Sequence, residues 1–420
     1  MKARARRRRS LRSTTLRTAA PLVTLMLAAT ACGEGSSHGG GTSRPATTSP
    51  SAASSVPSRS GAASSTVPAA ASCTDRYFSG MTTAQRVGQL IMGGISAAKP
   101  DQAQIRTLRD NHVGSIMLTG RSNAGVTATR KVVDGVQGQA DKVGGKRVGM
   151  LVSTDQEGGQ VQVLNGPGFS AMPNGLTQGG WSTATLQSRA AGWAAQLKAA
   201  GLNLNLAPIA DVVPASLGTR NRPIGAFSRE FGHTPDTVAA HSNAFAAGFR
   251  QSGVMTTLKH FPGLGNVIGN TDVTANVVDS VTTANSPDLM PFRSGIQAGS
   301  PFVMVSSATY SKIDPKHIAA FSPTVIGQLL RNQLGFKGVV ISDDIGQAVA
   351  LKAFTPAQRA VNFLAAGGNL ILTVNPSVVA AMTQAVQAKM KQDPSFAAKV
   401  NDSVHRVLDA KRTAGQLMCG

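Results

Sequence analysis

Eight short apolar runs recur between residues 87 and 374, each separated from the next by polar or Ala-rich text. They are VGQLIMGGI from Val87, VGSIMLTG from Val113, VGMLVSTD from Val148, LNLNLAPIAD from Leu202, VMTTLKH from Val254, PFVMVSSA from Pro301, GVVISDD from Gly338 and NLILTV from Asn369. Near-continuous apolar strands of this length belong to parallel sheets covered by helices on both faces. The intervening segments, such as SRAAGWAAQLKAAG, VAAHSNAFAAGFRQSG and PAQRAVNFLAAGG, have helical spacing and close on a Gly suited to a helix C-terminus. Eight such units in this length favour a closed barrel over an open doubly wound sheet. We therefore expect an α/β fold, a (β/α)8 TIM-type barrel, forming one domain over residues 73–420.

The N-terminus reads differently. MKARARRRRSLRSTTLRTAAPLVTLMLAATAC sets a basic block before an apolar run from Ala19 to Ala29, then small residues before Cys32. This is the layout of a secretory signal, and the run is too short for a spanning helix with these flanks. Residues 1–31 are thus expected to be a signal peptide. Ala29-Thr30-Ala31-Cys32 resembles a bacterial lipobox, with Ala29 where leucine is usual, so Cys32 is expected to carry lipid. Residues 32–72 are mostly Ser, Thr, Ala, Gly and Pro, which bury too little surface to offset the entropy of ordering, and are expected to be a disordered tether. The expected location is outside the cytoplasm, anchored to the membrane by lipid or secreted.

A formal charge of +21 suggests nucleic acid, but eight of the cations lie in the signal and no acid does; removing those eight leaves +13. That balance suits an anionic envelope or polymer. Aromatic residues are only 4% of the chain, too few for a base-stacking platform, so no nucleic-acid partner is expected. With Cys32 lipidated, Cys73 and Cys419 bracket the barrel, and an oxidising compartment would let them pair.

Active sites of (β/α)8 barrels lie at the C-terminal ends of the strands. Those positions hold Asp155 after the third run, Asp211 after the fourth, Lys259 and His260 after the fifth, and Asp343 and Asp344 after the seventh. Any one of them could be a solvated cap; their convergence favours chemistry. Gly263-Leu264-Gly265 hints at a phosphate loop, but Ile268 stands where GxGxxG needs its third Gly. The histidines lack metal-ligand spacing and no GxSxG elbow is present, so neither a metal nor a cofactor is expected. What remains is a set of carboxylates with a lysine and a histidine, the equipment of glycoside hydrolysis.

The combination of DQEGGQVQ from Asp155, LNLNLAPIADV, KHFPG from Lys259 and GFKGVVISDD from Gly335 resembles glycoside hydrolase family 3, specifically its single-domain β-N-acetylglucosaminidases. The similarity runs in order over residues 81–415. It implies a retaining exo-glycosidase acting on terminal β-linked N-acetylglucosamine through a covalent glycosyl-enzyme, with peptidoglycan fragments or chitooligosaccharides as the glycan and a monomeric enzyme. By resemblance, Asp343 is the nucleophile, and Asp155, Lys259 and His260 hold the sugar hydroxyls. The family's sugar-binding arginine falls on Arg229, with two extra residues before it.

The family's glucosaminidase loop runs KHFPGHG, four residues, then DSH, and its Asp-His pair is the general acid/base. Here DSH falls on Asn270-Thr271-Asp272 and the His of GHG on Leu264, so that pair is absent. We expect Asp272 to supply the acid/base carboxyl, with Asn270 orienting it and burial raising its pKa. An anionic base would repel phosphate and favour water, hence hydrolysis over phosphorolysis. Gln347 replaces a pocket Met of the family, which leaves 2-substituent specificity open. The alternatives are a β-glucosidase or β-xylosidase of the same family, or a non-catalytic lipoprotein that binds cell-wall glycan.

Overall fold

The computed structural model describes residues 72–419. The signal peptide at 1–31, Cys32 and the tether up to residue 71 lie outside the described residues. Ser72, assigned to the tether, instead caps the first helix, Cys73–Gly80, by accepting from Asp75 N.

Each apolar run supplies one strand of a parallel sheet: β1 (Ile91–Ser96), β2 (Ser115–Thr119), β3 (Leu151–Thr154), β4 (Leu204–Asn205), β5 (Met255–Phe261), β6 (Phe302–Val305), β7 (Val339–Asp344) and β8 (Leu370–Thr373). Their order is β3-β2-β1-β8-β7-β6-β5-β4. Nearly every residue in them is buried, as sheets covered on both faces require.

The seam between β3 and β4 is closed in an unusual way. Two backbone bonds cross it, Asn203 N to Val152 O at 3.1 Å and Leu206 N to Thr154 O at 2.9 Å. Side chains add further rungs. Asn203 Oδ1 accepts from Val152 N at 2.9 Å, and Asn205 both accepts from Gln156 N and donates to Gln156 O, each at 3.0 Å. The two asparagines of LNLNLAP thus satisfy backbone groups that a two-residue strand would leave unpaired inside the barrel wall.

Helices follow the strands and cover the sheet. Thr183–Ala199, Pro235–Gln251 and Pro356–Ala365 contain the Ala-rich segments and bury residues such as Ala190, Ala194, Phe245, Phe249 and Phe363 against the barrel. The first ends through Gly201 at φ +87°, where Leu202 N reaches back to Leu197 O, a Schellman closure. After β6 the covering element is π-helical, Thr324–Gln333.

Helix Cys73–Gly80 packs on the last helix, Pro394–Thr413, and a Cys73–Cys419 disulfide joins the two ends with Cα atoms 5.5 Å apart. Closing a loop of this length contributes about 5 kcal/mol in the chain-entropy model. Among the described residues, no helix is long and apolar enough to cross a membrane.

Candidate active site

The C-terminal ends of the strands surround a cavity of about 590 Å³ whose wall includes Asp155, Arg229, Lys259, His260, Asp272 and Asp343. Asp155 directly follows β3, Lys259 and His260 lie in β5, and Asp343 is next to last in β7. Arg229 and Asp272 come from the loops after β4 and β5.

At one side of the cavity two cations and two carboxylates interlock. Lys259 Nζ lies 2.6 Å from Asp155 Oδ1 and 2.6 Å from Glu157 Oε1. Arg229 grips Glu157 with both arms, Nε to Oε2 and Nη2 to Oε1 at 2.8 Å each, and its Nη1 donates to Pro223 O. Burial alone would raise the Glu157 carboxyl, but Arg229 and then Lys259 outweigh it and hold Glu157 at about 2. Burial likewise pulls Lys259 down, and Asp155 and Glu157 reverse the effect, so its pKa is raised and the ammonium stays charged although buried.

His260 is held from behind. Its Nδ1 lies 2.8 Å from Asp211 Oδ2, which calls for a proton on Nδ1. Asp211 Oδ1 also accepts from His260 N at 3.0 Å and Leu264 N at 2.7 Å. Asp211 is fully buried, so it orients the imidazole without reaching the cavity.

Asp343 Oδ1 accepts from Asp344 N at 2.9 Å. The Asp344 carboxyl is turned to backbone, accepting from Gly346 N at 2.9 Å and Val374 N at 3.1 Å, and burial pushes its pKa up. It ties the turn after β7 to the end of β8 and so fixes the segment that presents Asp343.

Asp272 is an exposed residue, yet its carboxyl stands in the cavity wall among the other acids. Loss of surrounding water, then repulsion from Asp343, pushes it up to about 6 against the opposing pull of His260 and Arg229. Asn270 does not orient that carboxyl as expected. Its Oδ1 accepts from Asp272 N at 2.9 Å, an Asx turn that shapes the backbone instead. Two further bonds strap the loop to the turn after β7: Val349 N to Asp272 O and Ala350 N to Thr271 O, both 3.1 Å.

Of the two glycines of KHFPGLG, Gly265 serves packing. A side chain at Gly265 would collide with Val212 O, so this glycine lets the loops after β4 and β5 touch. Asn221 locks the same contact. Its Nδ2 donates to Leu264 O, Gly265 O and Val267 O, and its Oδ1 accepts from Ile224 N and Gly225 N.

Sequence reasoning missed Glu157 and Asn221 and gave Asp211 no role. Glu157 had a signal, because residues two apart in an extended segment share a face and Asp155 and Glu157 are so spaced. Asn221 had none, since its five bonds exist only once two loops meet. Among the described residues, no group of three or more His, Cys, Asp or Glu side chains could hold a metal ion.

The chain has known relatives. Residues 82–410 match the family model described as the glycosyl hydrolase family 3 N terminal domain. The β-hexosaminidase of Xanthomonas axonopodis pv. citri (strain 306) is 32% identical over 308 residues, 71% of this chain and 88% of the relative. That of Stenotrophomonas maltophilia (strain K279a) is 38% identical over 247 residues, 57% of this chain and 71% of the relative. Among solved structures, a β-N-acetylhexosaminidase from Beutenbergia cavernae DSM 12333 is 51% identical with a TM-score of 0.78, the match covering 79% of this chain and 99% of that one. A family 3 β-N-acetylglucosaminidase from Paenibacillus sp. str. FPU-7 is 28% identical with a TM-score of 0.71, over 80% and 63%.

Proposed function

Because this chain belongs to glycosyl hydrolase family 3 and is a glycoside hydrolase, we propose that it removes terminal β-linked N-acetylglucosamine from peptidoglycan fragments with retention of configuration. The observation that carries this reading is the presence of Asp343 and Asp272 in one cavity wall, with Asp272 raised to about 6.

Asp343 attacks the anomeric carbon as the bond to the leaving oxygen breaks, and Asp272 gives that oxygen its proton. The Asp343 ester carries no charge, so the repulsion that raises Asp272 disappears and its pKa falls. A falling pKa suits the second half-reaction, in which Asp272 takes a proton from water as the water displaces Asp343. The Lys259, Asp155 and Arg229 network and His260 supply fixed donors and acceptors for sugar hydroxyls. Their partners hold them before substrate arrives, so little reorganisation is needed on binding.

The test uses aryl N-acetyl-β-glucosaminide and aryl β-glucoside, with the wild type beside Asp343→Asn. Cleavage of the N-acetylated substrate that is lost in the variant is the expected result. Cleavage of the glucoside alone would move the specificity to the β-glucosidase reading, and no cleavage of either by a folded protein would favour glycan binding without catalysis. We further propose that Cys32 carries a lipid that holds the barrel at the membrane. Fractionation that finds the whole of the protein in the medium would refute this.

A further inference from the structure

Lys352 belongs to the wall of the same cavity and has no role in the chemistry above. It is exposed, and no ion pair among the described residues includes it. Its position is defined by its neighbours. The turn Val349–Leu351 immediately precedes it, and that turn is bonded through Val349 N and Ala350 N to the backbone of Asp272 and Thr271. Lys352 therefore follows a turn tied through the backbone to the segment that carries Asp272, in the wall of the same cavity.

The charges around this mouth are one-sided. In the loops after β4, β5 and β7, at residues 212–234, 262–289 and 345–355, the exposed charged side chains are Arg220, Arg222, Lys352 and Asp272. The remaining acids there are engaged or buried: Asp279 is bonded to Thr282, Asp288 accepts from Asn266, and Glu230 is 1% exposed. Arg229 is neutralised by Glu157. The rim thus carries unmatched positive charge above a floor that holds Asp343 and Asp344. A neutral leaving group gains nothing from such a rim, whereas an anionic one is drawn in by it and shielded from the floor carboxylates.

We propose that Lys352 reads a carboxylate on the leaving group, so that the preferred substrate is a glycoside of an acidic aglycone. This rests on the glycosidase reading above and adds to it the chemical class of the group beyond the scissile bond. A lysine presents one mobile point charge, which fits a monoanion such as a carboxylate.

The experiment compares two aryl N-acetyl-β-glucosaminides matched in leaving-group acidity, one bearing a ring carboxylate and the other the corresponding carboxamide. The quantity read is the ratio of their kcat/KM values in the wild type, Lys352→Gln and Lys352→Glu, at low and high salt. We expect the wild type to favour the carboxylate about three- to tenfold at low salt, the preference to vanish in Lys352→Gln and to invert in Lys352→Glu. Because the ratio is internal to each enzyme, loss of folded protein does not change it. A ratio unchanged by Lys352→Gln overturns the proposal while leaving the glycosidase reading intact. If neither compound is cleaved, the glycosidase reading fails instead, and the ratio of their dissociation constants in the same three proteins decides the role of Lys352.

Discussion

Arg229 and Glu157, 72 positions apart in the chain, meet in a two-point ion pair with both contacts at 2.8 Å, and Lys259 joins the same carboxylate at 2.6 Å. Removing this carboxylate leaves Lys259 with Asp155 alone and Arg229 with no carboxylate partner, only the Pro223 carbonyl. We expect Glu157→Ala to lose about 3–5 kcal/mol of stability, and Glu157→Gln less, read as the shift of a denaturant midpoint. The effect depends on pH. Glu157 is depressed to about 2 in the folded protein, so its contribution is complete above its ordinary value near 4.5 and is lost as pH falls toward 2. The wild type and Glu157→Gln should therefore converge in stability through that window.

Asp272 must be protonated to start the reaction. With its carboxyl at about 6, kcat/KM on substrates with poor leaving groups should fall as pH rises through that value. Asp272→Asn should abolish this limb and cost about 10²–10⁴ in rate on alkyl glycosides, far less on nitrophenyl ones. Asp343 contributes to raising Asp272, so Asp343→Asn should lower the Asp272 titration, measurable by carbon NMR of labelled carboxyls. A titration that stays put would remove Asp343 as a cause.

The two carboxylates can be told apart by the product each variant makes with azide. Asp343→Gly opens the face the nucleophile occupied, so azide should restore turnover and give the α-glycosyl azide. Asp272→Ala leaves the glycosyl-enzyme to form from an activated substrate and frees its other face, so azide should give the β-product. The same anomer from both variants would contradict the assignment of roles.

Phosphate should not replace water. An anionic Asp272 beside the site of attack, with Asp344 nearby, repels a dianion more than a neutral molecule. Added phosphate should leave product release unchanged, and formation of a sugar 1-phosphate would refute this.

Some of this site was legible before any coordinates. Asp155, Lys259, His260 and Asp343 interrupt apolar runs at their downstream ends, and in a parallel barrel those ends share one face. Asp272 was legible as an acid that burial would weaken, but the added push from Asp343, on a strand far along the chain, was not. The partners of the sugar-holding residues were less legible still. Asp211 lies hidden beneath His260, and Asn203 and Asn205, which read as polar interruptions, are rungs of the barrel seam.

The sequence alone determined the alternation of buried strands and covering helices, since burial on both faces demands unbroken apolar runs and a helix demands its own period. It also determined which polar groups stand at the strand ends, because that is a matter of position within a run. Only the tertiary structure decided how those groups are charged and held. Coulomb and hydrogen-bond interactions act over a few ångströms of space, and the pairs that matter here, Glu157 with Arg229, Asp211 with His260 and Asp343 with Asp272, become neighbours only when the barrel closes.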